Sequence, residues 1–301
     1  MSQDLSHLQA SCRTTALLAN EERIASIRQE RWIQYQRAER VLERLADLVD
    51  YPPRDRMPCL LLYGATGMGK TRIIQKFMRD HRGRFDQKHG KTRLPVVAIQ
   101  MPPTPTERDL YEEILAGMGG VFAYGTSVTA LRHRVRALAR QLGVRMLIID
   151  ELHSLLAGTF REQRIALNAI RFLANDLRIP LVCVGTYEAN QALMTDQQLA
   201  DRFEAAELPP WEDDDAFQQL LLSFESILPL RSPSNLRDAK VHQRILSLSD
   251  GVLVRICRLL EAAASEAIRS GQINLALLKD NLVAESLVSI ADRLNRRVSG
   301  R

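Results

Sequence analysis

The chain has 301 residues, 46% hydrophobic and 26% charged, enough apolar material for an α/β core with a smaller domain beside it. A net charge of +5 and a pI near 9.2 permit an anionic partner such as nucleic acid without requiring one. Four scattered cysteines without a C-x-x-C pair argue against a disulfide frame or zinc site; with no apolar run near the ~18 residues of a membrane span and no signal-like N-terminus, they point to a reduced cytoplasm.

Met1 to Asn20 is polar without clear periodicity and reads as a mobile arm. Glu21 to Val49 reads as one or two helices, with Tyr35, Ala38, Leu42, Leu45 and Val49 on one face and arginines on others. Tyr51-Pro52-Pro53 ends this stretch. Cys59 to Tyr63 is an apolar strand, and it runs into Gly64-Ala65-Thr66-Gly67-Met68-Gly69-Lys70-Thr71. That loop fits G-x-x-x-x-G-K-[ST], a phosphate-binding pattern. Glycines there let successive backbone N–H groups turn inward around an anion. Lys70 would reach the outer phosphates, and Thr71 would place its hydroxyl on magnesium. Arg72 to Met78 reads as the following helix, whose positive end adds to the site.

His81 to Arg93 reads as a basic connection, carrying Lys88, Lys91 and Arg93. Pro95 to Met101 is a second strand. Thr106 to Met118 is a helix with Thr106 as its cap and Asp109 closing an acidic capping box. Ser127 to Leu142 is amphipathic: Leu131, Val135, Leu138 and Leu142 mark the core face, and Arg132, Arg136 and Arg140 mark another. That basic stripe fits either a solvated face or a surface that meets phosphates or a neighbouring subunit.

Met146 to Glu151 is a buried-looking strand with two acids at its C-terminal end, the edge at which parallel α/β sheets bind ligands. Asp150 can hold magnesium, directly or through water, and Glu151 can polarise the attacking water. Asn168 to Leu177 is a helix. Leu181 to Gly185 is the next strand, with Thr186 at its tip, placed either to touch the γ-phosphate or water or simply to end a strand. Asn190 to Phe203 reads as a helix with Arg202 near its end, and Glu207 to Trp211 as a last short strand and hinge. Beyond Pro210 the pattern is helical: around Phe217 to Phe224, Val241 to Leu248, Val252 to Ala267 and Leu275 to Leu294.

The order of these features resembles the AAA+ ATPases, and the chain looks like the TniB/TnsC-type regulators of DNA transposition. The stretches that carry the resemblance are RMPCLLLYGATGMGKTRII, MLIIDELHSLLAG, RFLANDLRIPLVCVGTYEA, DQQLADRFEAAELPPW and LPLRSPSNL, within about Trp32 to Gly271. The resemblance implies a five-stranded parallel P-loop sheet with a C-terminal helical lid. It divides the chain into an N-terminal arm and helix (1–50), an ATPase domain (51–211) and a lid with a tail (212–301). It implies ATP and Mg²⁺ as cofactors, with Gly64 to Arg72 and Asp150 at the nucleotide. Glu151 would be the catalytic carboxylate that polarises the attacking water, Thr186 the sensor, and Arg202 the arginine supplied to a neighbour's ATP. In many AAA+ proteins a lid arginine lies three residues after a glycine; here Arg255 follows Gly251 by four. The implied partners are duplex DNA bound without sequence preference, a TniA/TnsB-type transposase, a TniQ-type protein and further copies of the chain in a ring or filament. An IstB/DnaC-like helicase loader, or a signalling ATPase without DNA, would share the same phosphate loop. The DNA contacts are expected among Lys88, Lys91, Arg93, Arg132, Arg136 and Arg140.

Overall fold

Five short aliphatic runs meet in one parallel sheet. The computed structural model describes residues 4–103, 106–234 and 236–270. The strands are β1 (Cys59–Tyr63), β2 (Arg84–Asp86), β3 (Lys91–Arg93), β4 (Val96–Gln100), β5 (Met146–Asp150), β6 (Leu181–Gly185) and β7 (Phe203–Glu207). The large sheet has the order β4-β5-β6-β1-β7, with every pairing parallel. Parallel strands covered by helices on both faces read as continuous apolar runs, and β6 is buried along its whole length. The edge strand β7 is largely exposed. Tyr63 is level with Gly185 and with Glu207, and Gln100 with Asp150, so the strand ends form one edge.

The helices are α1 (Ala10–Ala16), α2 (Asn20–Ile27), α3 (Gln36–Val49), α4 (Lys70–Asp80), α5 (Glu107–Gly117), α6 (Val128–Leu142), α7 (Phe160–Leu177), α8 (Tyr187–Met194), α9 (Gln197–Ala200), α10 (Asp215–Ile227), α11 (Ala239–Ser249) and α12 (Leu253–Arg269). The chain forms two compact units, Arg40–Pro209 and Met1–Glu39 with Pro210–Arg301.

In Arg40–Pro209, α5 opens with the expected capping box: Thr106 accepts from the Asp109 N–H, and the Asp109 carboxylate accepts from the Thr106 N–H. Ser127 caps α6, and Gly143 ends it in the left-handed region. The apolar stripe of α6 is buried at Leu131, Val135 and Ala139. Arg44 donates through Nε and Nη2 to one oxygen, Glu204 Oε2, and so ties α3 to β7.

Three local expectations change. The helix expected from Asn168 begins at Phe160, because Thr159 and Glu162 form a second capping box. The helix expected over Asn190–Phe203 breaks at Thr195-Asp196, where the Asp196 carboxylate accepts two N–H groups and starts α9. The last strand is therefore Phe203–Glu207, not Glu207–Trp211. The basic connection also holds structure of its own, the antiparallel hairpin β2–β3.

In the other unit, the segment expected as a mobile arm is docked. Leu5, Leu8 and Ala16 are buried together. Gln9 N–H donates to Ser226 O at 2.9 Å. The buried guanidinium of Arg23 donates twice to Pro229 O, at 2.8 and 3.0 Å. Trp211 is gripped by Tyr35 edge-on and by the Arg37 guanidinium 4.1 Å from its ring centroid. The helix expected over Leu275–Leu294 lies outside the described residues.

Candidate nucleotide site

The phosphate loop joins the end of β1 to the start of α4. Gly64, Gly67 and Gly69 all adopt positive φ (152°, 84° and 89°). At Gly64 a side chain is excluded twice, because a Cβ would also lie 2.4 Å from Leu208 O. That carbonyl is held there by the Leu208 N–H, which donates to Tyr63 O at 2.8 Å. Gly69 caps α4, so Lys70, Thr71 and Arg72 form its first turn and its free N–H groups face the loop.

Lys70 Nζ donates to Gly64 O and Ala65 O, at 2.8 and 2.9 Å, and so lies across the mouth of the loop. Burial pushes its ammonium below the ordinary lysine value, while Asp150 and Glu151 pull the other way. Thr71 Oγ1 donates to Asp150 Oδ2 at 2.8 Å, and the Glu151 N–H donates to Asp150 Oδ1 at 2.7 Å. The phosphate loop and the acidic strand end, 79 positions apart in sequence, thus share one cradle. A hydroxyl beside a carboxylate is an oxygen pair suited to magnesium, which takes few protein ligands and completes its shell with phosphate and water. No group of three or more His, Cys, Asp or Glu able to hold a metal occurs among the described residues.

Of the remaining loop residues, Met68 is buried as packing beneath the loop, while Thr66 and Arg72 are exposed. Thr186 follows β6 and precedes α8; hydrogen bonding by its hydroxyl holds the Glu188 carboxyl below its usual range. Glu151 takes a left-handed backbone conformation, φ 58°, ψ 38°. Its carboxylate lies 3.1 Å from His153 Nε2, a contact the sequence reading did not single out, although the histidine stands in the same Asp-Glu-Leu-His run.

Arg202 is not at a helix end. It sits in the turn that leads into β7, and its carbonyl accepts from the Cys59 N–H at the start of β1. β1 then runs roughly 16 Å before the phosphate loop begins. Arg202 therefore stands at the opposite edge of the sheet from the loop of its own chain. Its Nη1 is buried and has no hydrogen-bond partner. Arg255, at the third position of α12, pairs with Asp250 and belongs to the other unit.

The basic candidates separate into two groups. Arg132 pairs with Glu107 at 2.7 Å and lies over Phe172, 4.3 Å from its ring centroid. Arg136 makes a bidentate pair with Asp176. Both are tied into the fold. Arg140, Lys91 and Arg93 are exposed and, with Phe85, line one groove; Lys88 is exposed at the hairpin tip.

A family model described as Bacterial TniB protein matches residues 23–213. No curated protein matches the chain. Among solved structures, the ORC1 protein of Aeropyrum pernix in complex with DNA is similar at 18% identity and a TM-score of 0.59, over 92% of this chain and 72% of that one. The Walker-type ATPase of Pyrococcus abyssi is similar at 17% identity and 0.57, over 89% and 77%. Cdc6p of Pyrobaculum aerophilum is similar at 17% identity and 0.57, over 90% and 73%. At such identities the likeness is one of fold, an α/β P-loop fold. The family match covers more than half of the chain, and with this fold beneath it the chain belongs to the bacterial TniB family.

Proposed function

We propose that the chain is an ATP-dependent adaptor of a DNA transposon. It binds ATP, assembles with it as a ring or filament on duplex DNA of any sequence, marks the target and recruits a TniA/TnsB-type transposase. A TniQ-type protein limits assembly, and ATP hydrolysis ends it. The observation that carries this reading is the joining of Lys70, Thr71 and Asp150 in one cradle within a TniB-family chain.

Each residue then has a task. The loop N–H groups and Lys70 balance the phosphate charge. Thr71 and Asp150 would hold magnesium, which when bound would supply a Lewis acid for the phosphate oxygens. Glu151 accepts the proton of water, and Thr186 hydrogen-bonds near the reacting phosphate. Arg202 serves the ATP of the next copy; its distance from its own loop supports that reading. Residues 51–211 form the ATPase domain and 212–301 the lid, with Arg255 as the lid's candidate contact to nucleotide. The protein works in the cytoplasm; no helix among the described residues is long and apolar enough to cross a membrane.

Co-purification with ATP tests the partner. The expected result is capture of the transposase encoded with the chain, stronger for Glu151→Gln, in which hydrolysis is blocked. Capture of a replicative helicase instead would favour the loader reading. Hydrolysis with no affinity for DNA or either partner would favour a signalling ATPase.

A further inference from the structure

A general base must present one carboxylate oxygen to water with its side chain held still. Glu151 begins at a disadvantage, because its backbone lies in the left-handed region that side-chain-bearing residues seldom occupy and that the surrounding structure must enforce. We propose that His153 is the positioning residue for Glu151, donating its Nε2–H to Oε2 and leaving Oε1 to engage water. The proposal rests on the reading of Glu151 as the base.

Three observations support it. Nε2 lies 3.1 Å from Glu151 Oε2, within reach of a charge-assisted hydrogen bond. The other ring nitrogen, Nδ1, is buried and without a partner. Nε2 is therefore the ring nitrogen through which His153 meets a partner. Finally, the ring is carried by the 3-10 turn Leu152–Ala157, which packs on the tip of β6. A Cβ on Gly185 would lie 3.3 Å from Leu152 Cβ and 3.7 Å from His153 N, besides meeting Ala189 Cβ at 2.7 Å. The lack of a side chain at Gly185 lets the turn approach so closely. Glu188, which shares a hydrogen bond with Thr186, lies in the first turn of α8, just past the same strand tip. His153 thus stands between the base and the strand tip that carries Thr186.

The test compares His153→Leu, His153→Gln, His153→Asn, Glu151→Gln and the double variant Glu151→Gln/His153→Leu. Each is measured for single-turnover ATP hydrolysis, for affinity towards a fluorescent ATP analogue and for thermal unfolding. His153→Leu should lose roughly tenfold to a hundredfold in rate, part of what a general base contributes, with affinity unchanged to within about twofold. Glutamine places an amide N–H near the position of Nε2 and should recover most of the rate. Asparagine is too short to reach Oε2 and should behave like leucine; it keeps the test open if leucine disturbs folding. In the Glu151→Gln background the leucine change should cost no further rate. Wild-type turnover in His153→Leu or His153→Asn would overturn the proposal. So would equal losses in glutamine and asparagine, or a further loss in the double variant. Wild-type turnover in Glu151→Gln would overturn the assignment of the base itself and this proposal with it. Loss in Glu151→Gln with full activity in both His153→Leu and His153→Asn would overturn the positioning role alone.

Discussion

At the scale of single residues, binding and hydrolysis are assigned to different side chains. Lys70 spans the phosphate loop and carries the charge that nucleotide phosphates would meet. Lys70→Ala should therefore lose nucleotide affinity, measured by equilibrium dialysis. Glu151 makes no contact with Lys70 or Thr71 among the described hydrogen bonds, and its change to glutamine should leave affinity nearly intact. Hydrolysis by Glu151→Gln should fall roughly 10²- to 10⁴-fold, because an amide cannot accept the proton of water. Equal ATPase rates for the wild type and Glu151→Gln would remove Glu151 from the mechanism. The phosphate loop and the acidic strand end, to which the proposal gives these roles, were legible in sequence because both patterns are local. The Glu151–His153 contact depends on a left-handed residue and a tight turn, which residue types alone do not announce.

At the scale of elements, the basic residues of α6 divide according to their neighbours. The sequence places Arg132, Arg136 and Arg140 on one stripe, but helical spacing carries no information about the carboxylates that other elements bring. Glu107 comes from α5 and Asp176 from α7, and they take the first two arginines. Arg132→Ala should consequently lower stability by about 1 kcal/mol, read as a lower unfolding temperature, because the ion pair and the contact with Phe172 go together. It should leave the salt dependence of DNA binding unchanged. Lys91, Arg93 and Arg140 make no side-chain hydrogen bond or ion pair among the described residues, and the hairpin that presents two of them was legible only as a basic connection. If this groove meets DNA phosphates, replacing the three by alanine should weaken binding. Each lost contact should flatten the log–log salt dependence by about 0.9. An unchanged slope would remove the groove from the interface. The same contrast explains the misplaced Arg202: Asp196 stops the preceding helix through a cap that Thr-Asp-Gln-Gln encodes only weakly, and the residues after it pair as an edge strand with β1.

At the scale of the whole molecule, the sheet was legible because each of its central strands is one unbroken apolar run, whereas the docked N-terminal helices depend on contacts made some 200 positions away. Assembly is the property that a single chain cannot supply. Arg202 stands a strand's length from its own phosphate loop, and an arginine that meets a transferring phosphoryl group is worth on the order of 10³–10⁵ in rate. A mixture of Arg202→Ala and Lys70→Ala should regain activity at junctions where an intact loop meets an intact arginine. A co-assembled mixture as inactive as its components would give Arg202 a structural role instead. The adaptor reading itself stands on nucleotide-gated affinity for duplex DNA. It is measured most directly by fluorescence anisotropy of labelled duplexes of unrelated sequence, titrated with the chain in ATP, in ADP and without nucleotide. Tight, sequence-independent binding that requires ATP, persists in Glu151→Gln and vanishes in Lys70→Ala is the expected result. Affinity that is the same in all three nucleotide conditions, or no affinity in any, would contradict it.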